Sequence, residues 1–120
     1  MVMPPFHTGG WNVLTTPFLH FGATVVLLPK FDAEQVMDLL EQERINLFMG
    51  VPTMIKMMSE VPRFESVDLA ALRYFIVGGE ALPIPVIERW NQKGVPIRQG
   101  YGLTEVGPNV TSLPEADAIR

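Results

Sequence analysis

Cysteine is absent from the 120 residues. That removes disulfide staples, thiolate nucleophiles and cysteine-ligated zinc from the available chemistry together. The absence fits a reducing compartment, and a cytoplasmic location is the expectation. Charge is also sparse, at 18% of residues with a net value of −4. The basic residues (Lys30, Arg44, Lys56, Arg63, Arg73, Arg89, Lys93, Arg98, Arg120) are scattered, so no stripe tracks a phosphate backbone and no nucleic-acid partner is expected. Long apolar runs are missing as well. The most apolar stretch, residues 13–29, is interrupted by Pro17, His20 and Gly22 and falls short of the about 20 residues that cross a bilayer. Met1-Val2-Met3-Pro4 lacks the basic start of a signal peptide. The chain reads as soluble, with membrane contact at most peripheral. There is no G-x-G-x-x-G fingerprint, hence no support for a dinucleotide site of that type. No internal repeat or low-complexity tract occurs.

What is present is apolar. Hydrophobic residues make up 48% of the chain and mean hydropathy is +0.21, which excludes a disordered segment. A small domain exposes much of its surface, so this composition implies either a naturally greasy small domain or faces covered by further chain. The second reading makes residues 1–120 a single partial domain with a polar tail, 112–120, that frays or belongs to the next element.

Helical and strand-like segments alternate. Residues 9–20 carry apolar residues at helical spacing (Trp11, Leu14, Phe18) despite Pro17. Residues 23–28 form a continuous apolar run, as expected of a strand buried on both faces. Asp32 is placed to cap a helix running to about Arg44, with Gln35 in the capping-box position. Residues 46–49 read as a strand, 53–60 as a helix opened by Pro52, 74–77 as a strand, and a helix through Trp90 follows Pro83 and Pro85. Residues 95–99 read as the last strand. The order, a helix and then β-α-β-α-β-α-β, predicts an α/β fold: an open, mainly parallel sheet with helices on its faces.

Ligands of open parallel sheets bind beyond the carboxyl ends of the strands. The third strand ends in Gly78-Gly79-Glu80-Ala81 and the fourth in Gly100-Tyr101-Gly102-Leu103-Thr104-Glu105, two glycine loops on one side of the sheet. Gly100 and Gly102 allow a sharp turn and a close backbone approach. Tyr101 offers a flat face for an aromatic base, Thr104 a hydroxyl and nearby amides for phosphate oxygens, and Glu105 a hard oxygen ligand for Mg²⁺. The plain alternative is a turn in which the glycines serve geometry and Glu105 is a solvated charge. His7 is otherwise a packed or capping residue, His20 a structural one, and the helix-spaced Met54, Met57 and Met58 are core before they are a tunnel lining.

The string Tyr101-Gly102-Leu103-Thr104-Glu105 resembles the Y-G-x-T-E motif of the adenylate-forming superfamily, which includes acyl-CoA synthetases, beetle luciferases and the adenylation domains of peptide synthetases. Pro5-Phe6-His7 resembles that family's P-x-F-H segment, Gly50-Val51-Pro52-Thr53 its G-V-P-T turn, and Gly78-Gly79-Glu80-Ala81-Leu82 its G-G-x-x-L loop. Leu27 to Asp32 is similar to the L-L-P-R-F-D stretch of fatty acyl-CoA synthetases. The resemblance covers residues 4 to about 111 and implies a subdomain of a larger adenylating enzyme.

It further implies ATP-dependent formation of an acyl-AMP from a carboxylic, by these matches fatty, acid and transfer of the acyl group to CoA, with Mg²⁺ assisting. Thr104, Glu105 and His7 would be catalytic, with Glu105 the metal ligand and His7 near the acyl and thiol channel. Gly78, Gly79, Glu80, Ala81, Gln99, Gly100, Tyr101, Gly102 and Thr104 would bind nucleotide. Glu80 departs from the small residue commonest at its place. The family's phosphate loop, ribose-binding Asp, hinge and C-terminal lysine domain are not in these residues, so the piece alone is expected to be inactive, with its partners including those missing parts of the same enzyme. A homo-oligomer is compatible with the sequence. Two other readings are a non-catalytic nucleotide-binding or scaffold α/β module, and an amino-acid adenylation domain in which Glu80 would hold the substrate amine.

Overall fold

The computed structural model describes residues 1–118. Helix α1 (Thr8–Asn12) and helix α2 (Thr15–His20) precede α3 (Ala33–Gln42), β1 (Leu47–Gly50), α4 (Pro52–Glu60), a 3₁₀ turn (Pro62–Glu65), β2 (Tyr74–Val77), α5 (Ile84–Gln92), β3 (Ile97–Leu103) and β4 (Gly107–Ser112). The strands form one sheet in the order β1-β2-β3-β4. The first two pairings are parallel and the last is antiparallel. The expected open, mainly parallel α/β sheet is therefore found.

Local chemistry accounts for most boundaries. Asp32 accepts the Gln35 amide at 2.9 Å and starts α3. Pro52 occupies the first turn of α4, where a missing N–H costs nothing. Burial alternates along β1 and β2, so Phe48, Phe75 and Val77 face the core while Met49 and Ile76 face the other side. On the core side, the Phe75 ring meets those of Phe48 and Trp90 edge-on at 5.3 and 4.6 Å, and Phe64 meets Trp90 at 4.9 Å. The buried Trp90 indole N–H donates to the Ile55 carbonyl at 3.1 Å, which ties α5 to α4. Met58 is fully buried in this core and Met54 packs against it, whereas Met57 is exposed.

Four expectations need correction. The helix expected over 9–20 is two helices, because Pro17 has no N–H for the Val13 carbonyl and its ring crowds that carbonyl; Val13 is where α1 stops. The apolar run 23–28 is no strand. It is tied instead to Met1, whose ammonium donates to Val26 O and whose carbonyl accepts from Leu28 at 3.0 Å. An apolar run encodes burial, and a strand also needs a ladder partner. The final strand starts at Ile97 and continues through Leu103, so the second glycine run lies on a strand and not in a loop. Finally, β4 was not anticipated. It follows a three-residue turn closed by Gly107 at φ 91°, a common hairpin geometry. Of the polar tail, Ser112 closes β4, and Leu113 donates to Gln99 O at 2.9 Å. Residues 119–120 lie outside the described residues.

Because Trp90 is fully buried, hydrogen-bonded and packed on two rings, Trp90→Ala is expected to cost about 3–5 kcal/mol. The measurement is the urea midpoint followed by circular dichroism; Trp90→Phe should lose clearly less.

Candidate functional site

Parallel pairing decides which backbone ends meet. Val77 is opposite Gln99 in the last β2–β3 pair, so the chain leaving β2 at Gly78 runs beside Gly100. A Cβ placed on Gly78 would lie 3.5 Å from the Gly100 carbonyl oxygen. The two glycine segments therefore come together, as their strand-end positions predict. Side chains alternate along β3, so Gly100 and Gly102 share one face while Gln99 and Tyr101 share the other. The single ligand floor expected from the sequence is thus two surfaces on opposite sides of one strand.

On the glycine face lies a cleft of about 60 Å³, bounded by Gly78, Gly79, Gly100 and Gly102, by Thr8, Gly9 and Val13 from the α1 region, by Met49 and Ile76, and by Pro108 and Asn109 of β4. On the other face Tyr101 is 57% exposed. The Gln99 carboxamide there donates to Val77 O at 3.1 Å and Glu80 O at 3.0 Å and accepts from Leu82 N at 3.3 Å. The segment 80–82 is thereby held on the Tyr101 side. Ala81 and the Glu80 side chain are exposed. Thr104 and Glu105 occupy the exposed turn between β3 and β4.

The glycines are glycine for different reasons. A Cβ on Gly102 would sit 2.2 Å from the Pro108 carbonyl carbon and oxygen, so the close approach of β4 requires its absence. That replaces the expectation that Gly102 serves a turn. Gly78 and Gly100 have room for a Cβ, with nearest atoms at 3.5 and 3.8 Å. At these two positions a Cβ would project without breaking the fold, so neither glycine is required by packing.

His7 caps α1: its Nδ1 accepts the Gly9 amide at 3.0 Å. In the neutral ring this leaves the proton on Nε2. The capping alternative is therefore realised, and His7 borders the cleft through Thr8 and Gly9 without lining it. His20 is exposed, lies edge-on to Phe21 at 5.2 Å and does not line the cleft. Among the described residues no group of three or more His, Asp or Glu side chains could hold a metal. Glu105 is then a single carboxylate, a donor set that suits Mg²⁺ arriving with phosphate oxygens and water and does not suit a resident protein-caged ion.

The sequence reading missed Thr8, Gly9, Pro108 and Asn109. The hairpin signal was available in the spacing Leu103, three residues, Gly107. The approach of α1 to β4 had no local signal. A larger groove of about 750 Å³ runs between α1, α2, residues 23–28, α3 and the free edge of β1. It touches none of the glycine-run residues, and size alone does not make it the site.

The whole chain, residues 1–120, matches the model of the AMP-binding enzyme family. It is 47% identical over 118 residues to an indoleacetate–CoA ligase of Aromatoleum aromaticum, covering 98% of this chain and 23% of that protein. It is 34% identical over 118 residues to the long-chain-fatty-acid–CoA ligase FadD13 of Mycobacterium tuberculosis, with the same 98% and 23% coverage. The crystal structure of the N-terminal domain of FACL13 from Mycobacterium tuberculosis superposes with a TM-score of 0.93 at 33% identity, covering 100% of this chain and 30% of that one. The chain belongs to the AMP-binding enzyme family. It spans about a quarter of the length of the curated relatives it matches.

The contrast between the glycines is testable by amide hydrogen exchange. Gly102→Ala is expected to speed exchange across β4 by about tenfold or more. Gly78→Ala should leave the exchange pattern of all four strands unchanged.

Proposed function

We propose that this chain is the central part of the nucleotide-binding domain of an AMP-forming acid–CoA ligase. The observation that carries the reading is the alternation along β3, which sets Gly100 and Gly102 on the cleft and Gln99 and Tyr101 on the opposite face, just ahead of the Thr104–Glu105 turn. A nucleobase lies against the Tyr101 ring, with segment 79–82 as the opposite wall. Gly78, Gly100 and Gly102 floor the place of the carboxylic acid, and α1 closes it from above. Thr104 donates its hydroxyl to the α-phosphate. Glu105 holds Mg²⁺, which when bound supplies positive charge to the phosphates.

In the first half-reaction a carboxylate oxygen attacks the α-phosphorus, forming the acyl–phosphate bond as pyrophosphate leaves. In the second, the CoA sulfur attacks the acyl carbon and AMP leaves. Charge builds on the α-phosphate oxygens in the first step, and donors fixed beforehand by the hairpin stabilise it without reorganising. His7, tied by its cap to Gly9, sits next to the cleft-lining Thr8 and Gly9 and orders the acyl and thiol channel there. The acid is apolar-tailed. The relatives are named for indoleacetate and for long-chain fatty acids, and Val13, Met49 and Ile76 border the cleft.

In the full-length protein, Glu105→Gln is expected to reduce carboxylate-dependent ATP–pyrophosphate exchange by about 100-fold or more; exchange at the wild-type rate would overturn the metal assignment. Calorimetric titration of residues 1–120 alone with ATP and Mg²⁺ should show no binding tighter than millimolar, because closing elements complete such sites. Micromolar affinity would show that these residues hold the nucleotide unaided.

A further inference from the structure

Residues 79–82 connect the end of β2 to α5, and they take no part in the backbone–backbone hydrogen bonds of turns, loops and caps among the described residues. Gly79 has φ 87°, so the chain turns away from the sheet at once. Glu80 and Ala81 are exposed, and only the Leu82 side chain is buried. What holds this segment is the Gln99 carboxamide.

Gln99 reaches from β3 to four backbone groups. Nε2 lies 3.1 Å from Val77 O, 3.0 Å from Glu80 O and 3.4 Å from Gly100 O, and Oε1 accepts the Leu82 amide at 3.3 Å. The two N–H bonds are matched to the two nearer carbonyls, one at the strand end and one in the segment. The amide can sit only this way round: flipped, its oxygen would face three carbonyl oxygens and its NH₂ would face a donor. Tyr101 stands two residues along the same face of β3.

We propose that Gln99 is a positioning residue that sets the gap between Tyr101 and segment 79–82, and thereby the affinity for the nucleobase, without itself touching the ligand. The inference rests on the proposed nucleotide function of that gap. It requires a carboxamide of this length at residue 99. A carboxylate keeps the acceptor for Leu82 but loses both donors and sets its charge against the Val77 and Glu80 carbonyls. An apolar isostere loses all of the bonds. Both changes release the segment while leaving the glycine face, where the acid is placed, intact.

The experiment uses the full-length protein with Gln99→Glu and Gln99→Met, the latter keeping the volume without adding charge should the former fail to accumulate. Amides 79–82 are expected to exchange about tenfold faster or more, with 48–50 and 75–77 unchanged. The KM for ATP should rise by about ten- to a hundredfold, the scale of one or two lost hydrogen bonds, while the KM for the carboxylic acid stays within about twofold. Unchanged exchange at 79–82, or equal rises in both KM values, would overturn the proposal, as would faster exchange throughout the sheet. If the wild-type protein formed no acyl-adenylate, the functional reading would fall instead, and the exchange data would still decide whether Gln99 holds the segment.

Discussion

The Phe75 ring sits at the centre of the sheet's buried face, between Phe48 of β1 and Trp90 of α5. Trp90 is anchored in turn by its indole bond to Ile55 of α4 and by the Phe64 ring. This chain of edge-on contacts presses α4 and α5 onto β1, β2 and β3. Each crossover helix thereby returns the next strand in parallel beside the last, and the parallel register places Val77 opposite Gln99. The meeting of the two glycine segments follows from that pairing. Gly78 adjoins Gly100, and the Gln99 side chain comes within reach of segment 80–82.

A second constraint is the closeness of β4. Only a residue without a Cβ at 102 lets Pro108 approach, and β4 carries extra residues opposite β3, with register lost between Tyr101 and Leu103. This irregular hairpin brings Pro108 and Asn109 to the cleft and sets Thr104 and Glu105 at its tip. Gly78 and Gly100 answer no such steric demand. The same residue type thus does two jobs within one motif, closing a hairpin at 102 and leaving a surface bare at 78 and 100.

Much of this was legible in the sequence. β1, β2 and the core part of β3 announced themselves as short apolar runs, and Asp32, Pro52 and Pro83 marked helix starts through local hydrogen-bonding or dihedral preferences. Pro17 marked the break between α1 and α2 but was read through. Residues 23–28 show where such reading fails: β-branched and aliphatic residues favour a pleated, buried surface, but whether a strand forms depends on a neighbour elsewhere in the chain. Gln99 shows the same limit at the site. Its place in the motif gave no sign that its carboxamide bonds backbone groups up to 22 residues away.

The run from Gln99 to Glu105 by itself pointed to nucleotide handling as the chemistry to look for, because it sets an aromatic face, a hydroxyl and a carboxylate within five residues. Tertiary structure alone decided how the run is disposed. Strand alternation sends Tyr101 and Gln99 to one side and the glycines to the other. Parallel pairing supplies segment 79–82 as the partner of the first side, and the packing of α1 against β4 closes the second. These are contacts between residues far apart in the chain, and no local propensity encodes the distance between them.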